Sequence, residues 1–296
     1  MSLDAALKGT LLIDEPLAKY TSWRVGGPAQ RLYIPQDKAD LVDFIAGLPA
    51  DEALFWLGLG SNLLIRDGGI RGTVINTRGR LKALSLIDSN RIYVEAGVPC
   101  AHVARFSGEL GLTGAEFLAG IPGTMGGALK MNAGAFGGET WNIVEQVETV
   151  NRQGQVVQRG KQDYQVGYRS VIGPGNEWFL AARLKLTKGD SVASQQHIKA
   201  LLEKRNATQP TNQPSCGSVF KNPPGDHAAR LIEACGLKGY RIGDAAVSEK
   251  HANFIVNLGK ATAVELEALI DHIQTQVEAK FGVQLQTEVC RVGEAA

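Results

Sequence analysis

The hydrophobic pattern of the chain switches repeatedly between helical and strand spacing. Residues 38–48 carry apolar side chains at intervals of three and four, directly after a capping Asp37. A second strong signal is the pair Thr262 and Glu265, which forms a capping box before an apolar stripe that ends at Gly282. Further helices are predicted over 99–110, 192–205 and 227–235.

Short apolar runs between these helices predict strands. The predicted strands cover residues 32–34, 54–57, 73–76, 92–96, 178–186 and 254–257, with a hairpin over 144–157 and an alternating strand over 283–289. A polar break begins at Gly189, and a domain boundary is therefore expected near 190–200.

One segment, Gly120 to Gly138, fits neither period. It reads GIPGTMGGALKMNAGAFGG, and seven of its nineteen residues are glycine. Such a composition forms helices and strands poorly, yet it is too apolar for a disordered linker. It predicts a buried irregular loop whose backbone approaches a large, flat, phosphate-bearing ligand. A purely structural crossover is the alternative.

A second glycine-rich turn follows the predicted strand at 54–57. The residues Gly58, Gly60, Ser61 and Asn62 break that strand before an apolar segment resumes at Leu63. A strand that ends in a turn of small residues presents backbone N–H groups to a pyrophosphate. It lacks the third glycine and the helix of a Rossmann fingerprint, so alone it is a weak signal.

Composition and charge narrow the class of partner. The net charge is +1, which predicts no nucleic-acid or anionic-membrane binding, and no apolar run is long enough to cross a bilayer. Met1 to Lys8 contains Asp4 and no apolar core, so it is not expected to be a signal peptide. Four widely spaced cysteines and five histidines without ligand spacing predict reduced thiols, a cytoplasmic location and no protein-bound metal.

Three isolated polar residues in the second half are candidates for chemistry. Arg169 follows a glycine turn, Ser218 lies in a proline-rich loop, and Glu288 lies on the predicted last strand. Each also has an ordinary explanation: a surface charge, a turn residue and a solvated strand face. Spacing alone does not select among these readings.

Five stretches, in order, resemble the UDP-N-acetylenolpyruvoylglucosamine reductase family. They read GLGSNLLIRD (58–67), GIPGTMGGALKMNAGAFGGE (120–139), YRS (168–170), GSVFKNP (217–223) and GDAAVSEKHANFIVN (243–257). The resemblance runs from about Thr21 to Val292 and is closer to the shorter branch of the family, without the extra tyrosine-bearing loop. Thr287 departs from it, because the family often has proline before its last catalytic Glu.

The resemblance implies an α+β fold with two domains. Residues 1–190 are expected to form a vanillyl-alcohol-oxidase-type FAD-binding domain, with subdomains of about 1–76 and 77–190. Residues 191–296 are expected to form an α+β substrate-binding lobe. The implied reaction is NADPH-dependent reduction of UDP-N-acetylglucosamine enolpyruvate to UDP-N-acetylmuramate through FAD, in peptidoglycan synthesis. A monomer acting only on this small-molecule substrate is expected.

The resemblance also implies site residues. Arg169, Ser218 and Glu288 match catalytic positions: carboxylate stabilisation for Arg169 and Glu288, and proton donation for Ser218. Substrate contacts are expected at Tyr168, Arg205, Lys221 and Asn222, and the diphosphate grip is open between Arg205, Lys204 and Lys221. The expected cofactor contacts are Gly58, Gly60, Ser61, Asn62, Leu63, Gly120, Ile121, Pro122, Gly123, Thr124, Gly126, Gly127, Asn132, Ala133, Gly134 and Ala135.

Two other functions fit the same motifs. One is another FAD-linked oxidoreductase of this fold, which would show rapid reoxidation by oxygen. The other is a non-catalytic flavin- or UDP-sugar-binding protein, in which the GSVFKNP loop is only a lid.

Overall fold

The computed structural model describes residues 8–296. The expectation that Met1 to Lys8 is no signal peptide therefore falls, apart from Lys8, outside the described residues. Among those residues no helix has the length and apolar character needed to cross a membrane.

Helices and short strands alternate along the chain. The helices are α1 (Lys38–Ala46), α2 (Cys100–Glu109), α3 (Met125–Met131), α4 (Thr140–Ile143), α5 (Ser191–Thr208), α6 (Ala228–Ala234) and α7 (Ala263–Phe281). Strands before α3 are β1 (Thr10–Pro16), β2 (Pro28–Ile34), β3 (Leu54–Leu57), β4 (Leu63–Ile65), β5 (Ile70–Asn76), β6 (Leu84–Leu86), β7 (Arg91–Glu95) and β8 (Leu112–Thr113).

The remaining strands follow α3. Up to α5 they are β9 (Gly134–Ala135), β10 (Gly138–Glu139), β11 (Val144–Asn151), β12 (Val156–Gly160), β13 (Gln165–Gly167), β14 (Ser170–Ile172), β15 (Glu177–Lys185) and β16 (Thr187–Lys188). After α6 they are β17 (Arg241–Ile242), β18 (Ala245–Val247), β19 (Ile255–Asn257) and β20 (Cys290–Val292).

The described chain divides into two compact units. Unit 1 comprises residues 8–12, 32–58 and 74–204, and unit 2 comprises residues 13–31, 59–73 and 205–296. A four-stranded sheet has the order β1-β2-β5-β3.

Unit 1 is built on an antiparallel sheet in the order β12-β11-β15-β7-β6. Apolar side chains of α2, α3 and this sheet form one buried core, which includes Val103, Leu129 and Trp141. This core positions α3 and the β13–β14 hairpin, both of which carry predicted site residues.

Unit 2 packs α6 and α7 on the antiparallel sheet β17-β18-β19. The capping box of α7 is present as predicted, since Thr262 accepts from the N–H of Glu265 and Glu265 accepts from the N–H of Thr262. Strand β20 pairs in parallel with β4. This pair brings the C-terminal residues of the chain beside the second glycine-rich turn.

Two sequence predictions were wrong. The segment Gly120 to Gly138 is not an irregular loop: it contains α3 and the two-residue strands β9 and β10. Met125 and Leu129 of α3 are fully buried, and this packing outweighs the poor helix propensity of the glycines.

The predicted strand over 283–289 is also wrong. The last strand is β20, at 290–292, and within 283–289 only Thr287 makes an isolated bridge, to Phe220. Glu288 therefore lies in a bend before β20 and not on a regular strand face. Leu285 and Val289 are buried, so the alternating pattern reflects their burial and not a regular strand.

Candidate active site

In unit 1 the two glycine-rich segments meet at Gly58 and Thr124. A Cβ built on Gly58 would lie 2.4 Å from the Thr124 hydroxyl oxygen, so any side chain at residue 58 would displace Thr124. Thr124 is buried and immediately precedes α3. The absent side chain thus lets the end of β3 pack directly against the start of α3.

Gly127 differs, because protein packing does not explain it. A Cβ built on this residue of α3 would meet no atom within 4 Å. Glycine inside a helix costs roughly 1 kcal/mol relative to alanine. The open space leaves room for a ligand to approach this backbone, as the expected dinucleotide cofactor would require.

The predicted cofactor residues are divided by exposure. The buried ones are Gly60, Ile121, Thr124, Asn132 and Ala133. Those with partly or fully exposed surface are Gly58, Ser61, Asn62, Leu63, Gly120, Pro122, Gly123, Gly126, Gly127, Gly134 and Ala135.

Asn132 ends α3 in a left-handed conformation, with φ of 46°. Its side-chain nitrogen donates to Glu139 Oε2 at 2.9 Å and to the carbonyl of Gly167 at 3.1 Å. Its side-chain oxygen accepts from the N–H of Trp141 at 3.1 Å. The Asn132 amide is therefore engaged within the protein, where it ties the segment Gly120 to Gly138 to the β13–β14 hairpin.

Arg169 occupies the tight turn of that hairpin, because Gly167 and Ser170 are paired across it. Its guanidinium donates to the carbonyl of Gly134 at 3.0 Å and to that of Asn132 at 3.5 Å. A Cβ on Gly134 would lie 3.2 Å from Arg169 Nη1, so the glycine leaves room for the guanidinium. The predicted catalytic arginine is thus anchored on the predicted cofactor segment.

Tyr168, a predicted substrate residue, neighbours Arg169 in the same turn. The Arg169 Cζ lies 5.0 Å from the centre of the Tyr168 ring, and 47% of Tyr168 is exposed. A cation over an aromatic face at this distance is attractive, so the two side chains support each other.

In unit 2, Ser218 and Glu288 lie on paired segments. The N–H of Glu288 donates to the carbonyl of Val219 at 2.8 Å, and the N–H of Lys221 donates to the carbonyl of Gln286 at 2.9 Å. The Phe220–Thr287 bridge lies between these two bonds. Two predicted catalytic residues, 70 positions apart, are therefore brought side by side.

The turn at Gly60–Leu63 holds both of these segments. Asn62 Nδ2 donates to the carbonyl of Glu288 at 3.0 Å, and the N–H of Cys290 donates to the carbonyl of Asn62 at 3.0 Å. On the other segment, the thiol of Cys216 donates to the carbonyl of Leu63 at 3.3 Å. Burial raises the pKa of the Cys216 thiol to about 12, so it remains protonated and keeps donating.

The predicted substrate residues in unit 2 have different environments. Arg205 lies on α5, its Nε donates to Gln209 at 3.3 Å, and burial lowers the pKa of its guanidinium. It nevertheless stays charged at neutral pH. Asn222 is exposed and accepts from the N–H of Ala228 at the start of α6. Lys221 is partly exposed and is tied to Gln286 by its backbone.

One residue of this site was missed at the sequence level. Asn253 is buried, and its side-chain amide bonds both the N–H and the carbonyl of Phe220. The signal was present, because Asn253 is a polar residue inside the apolar run from Ala252 to Val256. Within residues 8–296, no cluster of three or more His, Cys, Asp or Glu side chains is arranged to hold a metal ion.

Two family models match the chain. One is described as UDP-N-acetylenolpyruvoylglucosamine reductase, C-terminal domain, and matches residues 209–292. The other is described as FAD binding domain and matches residues 29–160. The first covers the segments of Ser218, Asn253 and Glu288, and the second covers both glycine-rich segments.

Whole-length relatives carry the name of the first model. UDP-N-acetylenolpyruvoylglucosamine reductase of Methylococcus capsulatus is 61% identical over 98% of this chain and 96% of its own length. The protein of that name from Legionella pneumophila (strain Lens) is 59% identical over 97% of this chain and 94% of its own length. The crystal structure of the Thermus caldophilus reductase superposes with a TM-score of 0.83 at 33% identity, covering 97% of this chain and 99% of that one.

Proposed function

The chain belongs to the UDP-N-acetylenolpyruvoylglucosamine reductase family, and from this premise we propose which of its residues perform the family's reaction. The enzyme is an FAD-containing, NADPH-dependent oxidoreductase that reduces UDP-N-acetylglucosamine enolpyruvate to UDP-N-acetylmuramate in peptidoglycan synthesis. The α+β fold and the FAD-binding domain expected from the sequence are confirmed.

FAD is held by the two glycine-rich segments. The support is the close packing of Gly58 on Thr124 and the space beside Gly127, where backbone groups can approach a ligand. Bound FAD, after reduction by NADPH, supplies the hydride for the substrate's carbon–carbon double bond. The task of the protein is to orient the substrate, stabilise charge and deliver a proton.

Arg169 stabilises the negative charge that develops on the substrate carboxylate. Its planar fork of N–H donors suits a carboxylate, and a donor fixed in advance loses little energy to reorganisation. The support is its anchoring on the carbonyls of Gly134 and Asn132.

Ser218 gives its hydroxyl proton to the substrate carbon that carries the developing charge, and it recovers a proton from solvent. Glu288, protonated or through a bound water, donates a hydrogen bond to the substrate carboxylate. A hydroxyl is a weak acid, so a neighbouring cation is needed, and Lys221 is the nearest in sequence. The pairing of the Ser218 and Glu288 segments is the observation that carries this assignment.

Residues 191–296 act as the substrate-binding domain, in which Arg205, Lys221 and Asn222 hold the UDP-sugar. Support comes from the C-terminal family model, which matches 209–292. The diphosphate contact falls to Arg205, Lys204 or Lys221. We propose that the chain works as a monomer in the cytoplasm, on this small-molecule substrate and on no nucleic acid or membrane.

The test is Ser218→Ala, measured in two half-reactions under anaerobic conditions. NADPH should still bleach the flavin, while reoxidation by the enolpyruvyl substrate should slow by about 100-fold or more, as expected for loss of a general acid. Ser215→Ala, in the same segment, is the matched control and should keep both rates. Normal reoxidation in Ser218→Ala would contradict the assignment.

A further inference from the structure

Asn253 contacts the Ser218 segment from the edge opposite Glu288. Its side-chain oxygen accepts from the N–H of Phe220 at 2.9 Å, and its side-chain nitrogen donates to the carbonyl of Phe220 at 2.8 Å. Its own carbonyl accepts from the N–H of Val219 at 2.9 Å. On this edge, Asn253 alone therefore supplies the hydrogen bonds that a neighbouring strand would otherwise make.

The segment after Ser218 is bonded along both edges. On the other edge, the carbonyl of Val219 accepts from Glu288 and the N–H of Lys221 donates to Gln286. On the N-terminal side of Ser218, Gly217 has φ of 70°, a conformation in which the backbone turns sharply. These bonds fix the backbone immediately after Ser218, and the three hydrogen bonds that Asn253 makes to Val219 and Phe220 are called the clamp.

The chemistry of this clamp requires a carboxamide. At neutral pH a carboxamide places one acceptor and one donor on a planar group that matches the N–H and carbonyl of a single residue, whereas an ionised carboxylate offers only acceptors. Asn253 is 4% exposed and Phe220 is 1% exposed, so both bonds are shielded from bulk solvent. Removing the amide would leave Phe220 N–H and carbonyl groups buried without these partners.

We propose that Asn253 is a positioning residue that fixes Ser218 for proton delivery to the substrate. This role rests on the proposed function of Ser218 as proton donor. Asn253 does not touch the substrate and acts through the backbone of Val219 and Phe220.

Asn253→Ala tests this role against a closely matched control. Asn257 lies four residues away, is equally buried, and its amide bonds the carbonyl of Trp23 and the N–H of Gly259. Asn257→Ala therefore loses a similar amide without affecting the clamp. Thermal unfolding of both variant holoenzymes measures how much stability each loses when its buried amide is removed.

The measurement compares the rates of two half-reactions, flavin reduction by NADPH and flavin reoxidation by the enolpyruvyl substrate. In Asn253→Ala, reoxidation of the reduced flavin by the enolpyruvyl substrate should slow by about 10- to 100-fold, the range for a misplaced catalytic group. Reduction by NADPH should change little, and the solvent deuterium isotope effect on reoxidation should rise. Equal reoxidation rates in Asn253→Ala and Asn257→Ala would overturn the positioning role.

A double variant separates this role from the role of Ser218. If Asn253 acts through Ser218, Ser218→Ala/Asn253→Ala should reoxidise as slowly as Ser218→Ala alone, whereas a further, multiplicative loss would overturn the inference. If Ser218→Ala itself reoxidises normally, the proton-donor assignment fails and the inference fails with it. If Ser218→Ala reoxidises slowly and Asn253→Ala reoxidises at the wild-type rate, the positioning role of Asn253 is contradicted while the proton-donor role of Ser218 stands.

Asn253→Asp covers the case in which Asn253→Ala does not fold. Its carboxyl has nearly the same shape and can make both bonds only when protonated. Relative to wild type at the same pH, its reoxidation should therefore recover as the pH is lowered. If the ratio of the Asn253→Asp reoxidation rate to the wild-type rate does not change with pH, the clamp is contradicted.

Discussion

Arg169 occupies a backbone conformation that side-chain-bearing residues rarely adopt. Its φ is 52°, in the left-handed region, which costs roughly 1–2 kcal/mol for a residue other than glycine. Glycine would remove this cost, but it would also remove the guanidinium that bonds Gly134 and Asn132. Strain of this kind persists where a particular side chain is needed at a particular place.

Arg169→Ala should therefore affect substrate reduction selectively. We expect FAD binding and flavin reduction by NADPH to persist, with reoxidation by the enolpyruvyl substrate slowed about 100- to 1,000-fold, as for loss of a charge-stabilising donor. Stopped-flow absorbance separates the two steps. Arg105→Ala, at an exposed residue of α2, is the control. A colourless Arg169→Ala protein would instead make Arg169 structural.

His251 gives unit 2 a predictable pH dependence. Burial lowers the pKa of its imidazole below the ordinary 6.5, with Lys238 lowering it further and Glu233 opposing. Its Nδ1 accepts from the N–H of Asn253 at 3.3 Å, and protonation there removes the acceptor. The neutral ring is therefore the form that the folded state favours.

Protonation of His251 destabilises the folded state. As the pH falls through 6.5, the unfolded chain binds a proton at residue 251 before the folded chain does, so the free energy of unfolding decreases. The stability that the neutral imidazole of His251 contributes is fully present above pH 6.5 and is lost as the pH falls toward the lower pKa of the folded state. Urea titrations between about pH 5 and pH 7 give the free energy of unfolding at each pH. This free energy should fall less steeply with decreasing pH for His251→Asn than for wild type. Identical slopes would contradict this account.

At the scale of elements, α3 gives the clearest test of cofactor contact. Gly127→Ala should stabilise the apoprotein by up to about 1 kcal/mol, because a Cβ there meets no protein atom and alanine favours helix. If FAD lies against this backbone, the same change should weaken FAD binding, as measured by flavin retention and fluorescence titration.

Gly175→Ala is the control for this substitution. It also places its Cβ in open space, but it lies on an exposed turn before β15. FAD affinity should stay at the wild-type value in Gly175→Ala. Unchanged FAD affinity in Gly127→Ala as well would remove α3 from the cofactor site.

The sequence predicted those elements whose signals are local. Helices α1 and α7 begin where Asp37 and Thr262 cap them, because a cap and an apolar stripe lie within a few residues of each other. Helix α3 was missed because its stability comes from burial of Met125 and Leu129 against distant residues. Strand β20 was misplaced because its partner, β4, is more than 200 residues away in the sequence.

In the candidate site, too, local motifs could be read from the sequence and contacts between distant residues could not. The family resemblance marked Arg169, Ser218 and Glu288 as candidates, but no spacing revealed that Asn253 bonds the segment after Ser218. Nor did the sequence indicate that the Asn132 side chain is engaged with Glu139, Gly167 and Trp141. Contacts of this kind depend on tertiary geometry.

At the scale of the whole molecule, the compact units do not follow the order of the chain. Residues 59–73 lie inside the FAD-binding family match, yet they belong to unit 2 with the C-terminal residues. There Asn62 bonds Glu288, and Leu63 accepts from Cys216 two residues before Ser218. One turn of the FAD-binding match is thus part of the framework that holds two proposed catalytic residues.

This chain passes reducing equivalents from NADPH through FAD to an enolpyruvyl UDP-sugar. An anaerobic absorbance titration of the purified holoprotein tests it most directly. NADPH should bleach the flavin, and UDP-N-acetylglucosamine enolpyruvate should then restore the oxidised spectrum mole for mole, with formation of UDP-N-acetylmuramate. A flavin that stays bleached with this substrate and recovers only on admission of oxygen would contradict the account.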